Sequence, residues 1–334
     1  MAQKRNPLID LLKGFAITLV VAGHASQWFS GYDLTNRLFI TIYSFHMPLF
    51  MLLSGYVCYN ESHRVNLKKR FQVLVVPFFV WFFINILVYH HILDYKDVIS
   101  RLYNLIYDPA TGNWFLWILF WLCILLYFAL KISKKHTELI LLSFWGLIAI
   151  AFFALGSPDP SFGLYQLSWC TVHFVLGYIL HKYEPFLIKY VRIAGVISIF
   201  AFPIFLLGVP KANTSSFLSE NIHVSESFKQ FMQITHLYLV SLTGILVSNK
   251  LGEWLNARQS KLRTLFIYLG TISLEIYVTH YYAYFLVEKL NTIIGDHFYV
   301  KVLLFTTLAI AGSDLFQRLV RYCKPLRKLL YGRD

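Results

Sequence analysis

The sequence predicts an all-α protein: a polytopic bundle of about ten membrane-spanning helices with both termini in the cytoplasm. Three observations lead to this fold class. The 334 residues are 57% hydrophobic and only 14% charged, whereas a soluble domain carries about 25% charged residues. Apolar runs long enough to cross a bilayer recur along the whole chain. The Lys and Arg residues between those runs concentrate in alternate connections.

The composition excludes several classes of protein. A soluble enzyme or a disordered chain needs more charged residues than this one has. The 30 Lys and Arg outnumber the 17 Asp and Glu, but in a membrane protein this excess follows loop orientation, so no nucleic-acid partner is expected. The cysteines have no metal-ligand spacing and are interpreted as small apolar fillers. They are Cys58, Cys123, Cys170 and Cys323.

Each apolar run must form a helix, because lipid offers no partner to the edge of an open sheet. A bilayer core about 30 Å thick needs about 20 apolar residues of helix. No repeat and no long linker interrupts the series, so residues 1–334 are expected to form one transmembrane domain. The predicted spans are 11–29, 38–59, 71–93, 114–131, 139–156, 164–181, 190–208, 230–249, 264–288 and 299–321.

The cationic residues orient this bundle. Of the 30 Lys and Arg, 22 fall in connections on the same side as the N-terminus, seven fall on the other side, and Lys13 lies in the first span. Cytoplasmic loops carry such an excess, and their basic face can hold anionic lipid or an anionic cofactor. A cleaved signal peptide that begins with Lys4 and Arg5 is the alternative for the first span, but the apolar run is longer than a typical signal core.

Ionisable side chains inside a span indicate function by default, and the first span has Asp10, Lys13 and His24. Lys13 and His24 are eleven residues apart, which places them on one helix face about 16 Å apart along the axis. Asp10 lies one turn before Lys13. The alternatives are a snorkelling Lys13 paired with Asp10 and a buried His24 bonded to a neighbouring helix.

Three other histidines lie at similar depth, His46, His173 and His280, and Glu275 lies nearer the middle of the ninth span. Four imidazoles at one level can line one polar cavity, or each can be bonded separately. No two histidines are four residues apart on one helix, so no metal site is expected.

Two local patterns add to this interpretation. Pro48 permits a kink in the second span, and Ser54 with Gly55 allows another helix to approach closely. Trp114 opens the fourth span, where it fits either an ordinary interfacial aromatic belt or stacking against a sugar ring.

Together these residues resemble the acyltransferase family 3 of integral membrane proteins. That family opens with a basic residue, ten intervening residues and a histidine, which correspond here to Lys13 and His24. The second-helix segment is similar to the form seen in sugar O-acetylases such as fucose 4-O-acetylase. The other matching segments are FHMPLF at 45–50, LSGY at 53–56, WFL at 114–116, and SLEIY at 273–277 with His280.

The resemblance implies an enzyme that moves an acyl group, usually acetyl, from cytoplasmic acyl-CoA to a sugar hydroxyl. The implied partners are acetyl-CoA as a co-substrate, a cell-surface or lipid-linked glycan or glycolipid, and membrane lipid, in a bacterial inner membrane. Two departures matter. Lys13 stands where many relatives have arginine, so a bidentate phosphate contact becomes a point charge. No extracytoplasmic hydrolase-like domain follows, which indicates a stand-alone transferase.

The mechanism expected from these residues uses His24 as a general base on the sugar hydroxyl; an acyl-histidine intermediate is the open alternative. Asp10 fixes Lys13, which lies toward the CoA donor. The expected donor-binding loop residues are Lys68, Lys69 and Arg70. The residues expected to orient the acceptor or stabilise the oxyanion are His46, Ser54, Trp114, Glu275 and His280.

A transporter that exports a lipid-linked sugar or polysaccharide is the alternative function, since ten helices with a polar interior fit it as well. Transporters often contain internal repeats. The sequence has none, which favours the transferase.

Overall fold

The computed structural model of the protein describes residues 6–90, 95–154, 162–217 and 225–333. Within these ranges every regular element is a helix, which confirms the all-α fold class. Parts of two predicted spans, 91–93 and 155–156, lie outside the described residues, as do Lys4 and Arg5.

The helices occur at all ten predicted positions. They are α1 (Pro7–Phe29), α2 (Arg37–Tyr43), α3 (His46–Cys58), α4 (Leu67–Arg70), α5 (Val76–Asn85), α6 (Tyr95–Tyr107), α7 (Trp114–Ile132), α8 (Thr137–Ala154), α9 (Leu164–Lys182), α10 (Glu184–Leu207), α11 (Glu226–Asn256), α12 (Lys261–Thr271), α13 (Ser273–Thr279), α14 (Leu286–Ile294), α15 (Phe298–Val320) and α16 (Lys324–Tyr331). π-helical turns at Phe71–Val75 and Ile86–His90 flank α5, and 3-10 turns form at Pro109–Thr111 and His280–Phe285.

Seven helical stretches of the described residues are long and apolar enough to cross a membrane, with α2 and α3 counted together and α4 and α5 counted together. The count is eight when one bent pair also counts as a span. The apolar stretch of α8, Thr137–Phe152, is shorter than those seven, and α9 is not among them. Among the described residues, fewer stretches meet the length of a full span than the ten predicted apolar runs.

Two compact units divide the chain: unit 1 comprises Met1–Phe50 and Pro185–Phe316, and unit 2 comprises Met51–Glu184 and Gln317–Asp334. In unit 1, α1 packs against α2, α11 and α12. Residues from α2 and α11 join Val209 in a buried apolar cluster. The core of that cluster is Ile40, Val209 and Val240.

The start of α1 follows from its sequence. The side chain of Asn6 accepts a hydrogen bond from the Leu8 amide at 3.0 Å, and Pro7 occupies the first turn, where its missing N–H costs nothing. Apolar residues then continue without interruption to Phe29.

The second predicted span divides into α2 and α3, and Pro48 explains the position of the break. We expected a kink within the span, but Pro48 lies in the first turn of α3, where its ring tolerates a helix start and not a helix that continues from upstream. The His46 side chain bonds the Ile42 carbonyl at 2.8 Å, so it satisfies a carbonyl at the end of α2.

The ninth predicted span is also not a single helix. A break at Ile272 separates α12 from the following helical segment, and the two are bent by 69°. Next to this break, the Thr271 hydroxyl bonds the Tyr268 carbonyl at 2.7 Å. The bend determines the direction of the segment that follows α12, and this segment carries Glu275, His280 and Tyr281.

Unit 2 has its own close helix contact, between α3 and α9. A Cβ atom on Gly55 would overlap the Phe174 carbonyl, and one on Gly177 would overlap the Leu52 carbonyl. The expectation that Gly55 allows close approach of another helix is met by α9.

Candidate active site

The site is built on a backbone-to-backbone crossing of α1 and α12 in unit 1. A Cβ atom on Gly14 would overlap the Phe266 carbonyl, and one on Gly270 would overlap the Asp10 carbonyl. Gly14 precedes His24 by ten residues, and Gly270 precedes His280 by ten residues. The crossing therefore sets the register that brings these two histidines together.

The two imidazoles are neighbours, with ring centroids 5.3 Å apart. His280 is fully buried. Its Nδ1 bonds the Ile276 carbonyl at 3.0 Å, so this nitrogen carries the proton and donates it. The Nε2 atom of His280 is buried without a hydrogen-bond partner, and in this tautomer it is an acceptor.

His46 is held in the same way on the other side of the site. Its Nδ1–H donates to the Ile42 carbonyl at 2.8 Å, which leaves Nε2 as the acceptor. The ring of Tyr43 lies between the histidines, with its centroid 4.7 Å from that of His46 and 6.1 Å from that of His24. Three of the four predicted histidines thus cluster in unit 1, whereas His173 lies in unit 2.

Two tyrosine hydroxyls contact His24. Tyr281 Oη lies 2.8 Å from Nε2 and 3.3 Å from Nδ1. Tyr43 Oη lies 3.2 Å from Nδ1 and donates to Gln27 Oε1 at 3.4 Å. A glycine makes this approach possible, because a Cβ on Gly23 would lie 3.0 Å from the Tyr43 ring.

An aromatic cluster borders the imidazole. The Trp28 ring stacks near His24 at 5.8 Å and meets Tyr281 at 5.7 Å. Trp28 also contacts Tyr284 at 5.1 Å and Phe305 at 5.2 Å. Such ring faces can pack against the C–H face of a sugar or against an acyl chain.

Comparison with known proteins identifies the family. Residues 6–318 match the family model described as "Acyltransferase domain". The chain belongs to this acyltransferase family, which is acyltransferase family 3. With its apolar helices, the chain is a multi-pass integral membrane member of that family.

Two curated relatives share part of this acyltransferase. The nodulation protein NolL of Mesorhizobium japonicum is 33% identical over 125 residues, which cover 35% of this chain and 34% of that protein. NolL of Sinorhizobium fredii is 29% identical over 196 residues, which cover 53% of this chain and 49% of that protein. The chain thus spans a third to a half of the length of these relatives. No solved structure matches it.

The first-helix residues lie on one continuous helix of the acyltransferase. Asp10 is buried and 8% exposed, and Lys13 is half-buried on the same helix. Because α1 is unbroken from Pro7 to Phe29, Lys13 and His24 keep the shared helical face that their spacing predicts. That both side chains face one tunnel remains a prediction.

The remaining predicted residues divide between the two units. Glu275 is buried on α13 in unit 1. The unit 2 residues are Ser54 on α3, Trp114 at the start of α7, and the basic residues Lys68, Lys69 and Arg70 of α4.

The three basic residues of α4 differ in exposure and contacts. Lys68 and Lys69 are exposed, whereas the Arg70 guanidinium donates to Cys58 Sγ at 3.5 Å. Of the three expected donor-binding residues, the two lysines are therefore exposed and Arg70 packs inward. Successive residues of a helix face directions about 100° apart, so neighbours in the sequence can differ in this way.

Sequence reasoning missed four residues that contact or adjoin His24: Gln27, Trp28, Tyr43 and Tyr281. Helical spacing could have predicted two of them. Gln27 and Trp28 are three and four residues after His24 and therefore lie on the same face of the helix as His24. Tyr281 directly follows the predicted His280. Tyr43 is on another helix, and no local pattern indicates its contact.

Proposed function

We propose that this acyltransferase transfers an acetyl group from acetyl-CoA to a hydroxyl of a cell-surface or lipid-linked glycan in a bacterial inner membrane. One observation carries the proposal: in a membrane acyltransferase, His24 lies between two tyrosine hydroxyls and beside a second histidine whose Nε2 is an acceptor. That arrangement suits removal of a proton from a hydroxyl.

His24 is the general base in this proposal. When Tyr43 donates to Gln27, its oxygen accepts the Nδ1–H of His24, which leaves Nε2 free of a proton. Nε2 takes the proton of the sugar hydroxyl while that oxygen attacks the thioester carbonyl, which is typically worth about 10²–10⁴-fold in rate. The intermediate then expels CoA thiolate, which receives the proton from the imidazolium. The products are the acetyl ester and CoA.

The oxyanion has a different candidate donor from the one that the sequence suggests. The N–H groups of neutral His46 and His280 donate to helix carbonyls. Their Nε2 atoms can therefore accept a hydrogen bond from a sugar hydroxyl but cannot donate one to an oxyanion. The Tyr281 hydroxyl is the O–H donor nearest to Nε2 of His24. We assign it to the developing negative charge.

The acceptor and the donor approach from different parts of this site. The Trp28 cluster supplies aromatic faces for a sugar ring, and its position beside His24 favours it over Trp114 for that role. Lys13, near Asp10 on the preceding turns of α1, supplies the cation toward the CoA phosphates. The pantetheine arm then bridges the roughly 16 Å between Lys13 and His24.

The test uses membranes that contain the full chain, with labelled acetyl-CoA and mass spectrometry of the glycans. His24→Ala, shown to be folded by thermal unfolding, is expected to lower transfer by at least about 10²-fold. His297→Ala removes an exposed histidine and is the matched control. A wild-type rate of acetyl transfer in His24→Ala would contradict the proposed mechanism.

Two further readouts separate the alternatives. Label that accumulates on the protein without an acceptor, and is lost in His24→Ala, would replace the general base with an acyl-histidine. Movement of glycan across the membrane without incorporation of label would replace the enzyme with a transporter.

A further inference from the structure

A basic pocket of about 510 Å³ lies in unit 2. Its lining includes Lys68 and Lys69 from α4 and Arg333 from the segment after α16. Asn66 and Gln72 add amide groups. A pocket of this size is within the range of small-molecule sites, and none of its described lining residues is acidic.

The segment that delivers Arg333 is held firmly on α5. The Trp81 indole N–H donates to the Leu330 carbonyl at 2.9 Å, and Tyr331 is buried. Arg333 is therefore brought to Lys68 and Lys69 by the tertiary structure, from more than 260 residues away in the chain.

Gly332 allows the segment that carries Arg333 to pass close to the backbone at Gln72. Its φ is +64°, a conformation that side chains other than glycine rarely adopt, and a Cβ there would overlap the Gln72 carbonyl. This close contact sets the position of Arg333 at the rim of the pocket. Any residue with a Cβ at position 332 would shift Arg333.

Two ammonium groups and a guanidinium group at the lining of one cavity give it a positive potential, which favours an anion there. Ammonium and guanidinium groups bind phosphate through charge-assisted hydrogen bonds, with the planar guanidinium forming two at once. The cationic connections are also those predicted to face the cytoplasm, where phosphorylated ligands are available.

We propose that Lys68, Lys69 and Arg333 form a binding site for a phosphate-bearing anion. The two sources of that chemistry are the nucleotide end of CoA, with its diphosphate and 3′-phosphate, and the headgroup of an anionic phospholipid. The CoA source rests on the proposed function, whereas the phospholipid source does not depend on it.

The experiment compares the purified full chain with Lys68→Gln/Lys69→Gln/Arg333→Gln. One arm measures the affinity for CoA and for 3′-dephospho-CoA, and the other measures retention of phosphatidylglycerol against phosphatidylcholine by native mass spectrometry in mixed-lipid nanodiscs. Charge-assisted hydrogen bonds to phosphate are among the stronger hydrogen bonds in proteins, so loss of the three cations is expected to weaken binding by at least about tenfold.

Two controls make the result specific. Lys134→Gln/Lys135→Gln removes exposed lysines of another predicted cytoplasmic connection and is expected to bind as the wild type does. Gly332→Ala keeps all three charges but displaces Arg333, so it is expected to weaken binding. Gly146→Ala, where a Cβ meets nothing within 4 Å, is its matched control.

The outcomes are distinct. Selective loss of CoA affinity, smaller for dephospho-CoA, supports the donor as the ligand. Selective loss of phosphatidylglycerol retention supports a lipid site even if acetyl transfer is absent. If the triple variant matches the Lys134→Gln/Lys135→Gln control in both arms, or if Gly332→Ala matches Gly146→Ala in both, the site is overturned.

Discussion

The candidate active site of unit 1 and the basic pocket of unit 2 both gather polar side chains, but they satisfy them in different ways. In unit 1, His46 and His280 are buried, and each donates its Nδ1–H to a carbonyl four residues earlier. In unit 2, Lys68 and Lys69 remain exposed around a pocket. A buried N–H group is costly without a hydrogen-bond partner, so each imidazole is fixed by a local bond from its Nδ1–H. Exposed cations are hydrated, so a distant residue such as Arg333 can complete their site.

The largest effect that would sharpen this comparison is expected from Tyr281→Phe. Removing one oxyanion donor typically costs about 10²–10³-fold in turnover, whereas the aromatic packing on Trp28 is retained. The measurement is the rate of acetyl transfer at saturating acetyl-CoA.

Tyr284→Phe is the matched control for that prediction, since Tyr284 packs on the same Trp28 ring. Its hydroxyl has no assigned role, so the variant is expected to keep the wild-type rate. Equal rates for both variants would remove Tyr281 from the chemistry.

Gly270→Ala is expected to give the next largest effect. A Cβ there would overlap the Asp10 carbonyl, which belongs to the backbone and moves only if α1 moves. Overpacking of this kind typically costs about 1–3 kcal/mol of stability, and displacement of His280 from His24 by about 1 Å can cost about 10²-fold in rate.

Thermal unfolding in detergent and the transfer rate measure these two effects separately. Gly312→Ala on α15 is the control, because a Cβ there meets nothing within 4 Å. Wild-type stability and rate in Gly270→Ala would mean that the crossing does not set the site.

The smallest effect concerns an ion pair at the predicted cytoplasmic side of unit 2. Glu138 accepts from Lys182 at 2.7 Å and from Tyr183 at 2.8 Å. Burial alone would raise the pKa of the Glu138 carboxyl, but the hydrogen bonds from Lys182 and Tyr183 outweigh it and hold that pKa below its ordinary value. Glu138→Gln is expected to cost about 1 kcal/mol at pH 7, since the pair is only partly shielded from solvent.

The pH dependence gives the sign of this contribution. A carboxyl group whose pKa is lowered by folding stabilises the fold at a pH above its unfolded-state pKa, and this stabilisation is lost as the pH falls through the folded-state pKa. The loss of stability in Glu138→Gln should therefore shrink below about pH 4. Glu253→Gln, which breaks the more exposed Lys250–Glu253 pair, should cost less at pH 7. A deficit that persists undiminished at acid pH would contradict the ion-pair explanation.

Much of the fold was open to prediction because lipid imposes a simple rule on the chain. Within the described residues every predicted apolar run is helical, since lipid offers no partner to the edge of an open sheet. The breaks at Phe45 and Ile272 were harder to predict. Pro48 indicated a disruption but not its position, and the break at Ile272 has no proline or glycine at the residue itself.

The residues of the candidate site likewise include some that the sequence predicts and some that it does not. His24, His46 and His280 were found because ionisable groups are costly inside a span. Their partners Tyr43 and Tyr281 were missed, because tyrosine is common in this chain, with 22 copies, and is not costly enough in a membrane to stand out.

By itself, the sequence determined the helical membrane fold, the family and the eleven-residue spacing of Lys13 and His24, since each of these follows from local composition and helical periodicity. Only the tertiary structure decided which tyrosines contact His24 and that Arg333 rather than Arg70 joins the basic pocket. These depend on backbone contacts at Gly14, Gly270 and Gly332 between segments far apart in the chain, which no local pattern encodes.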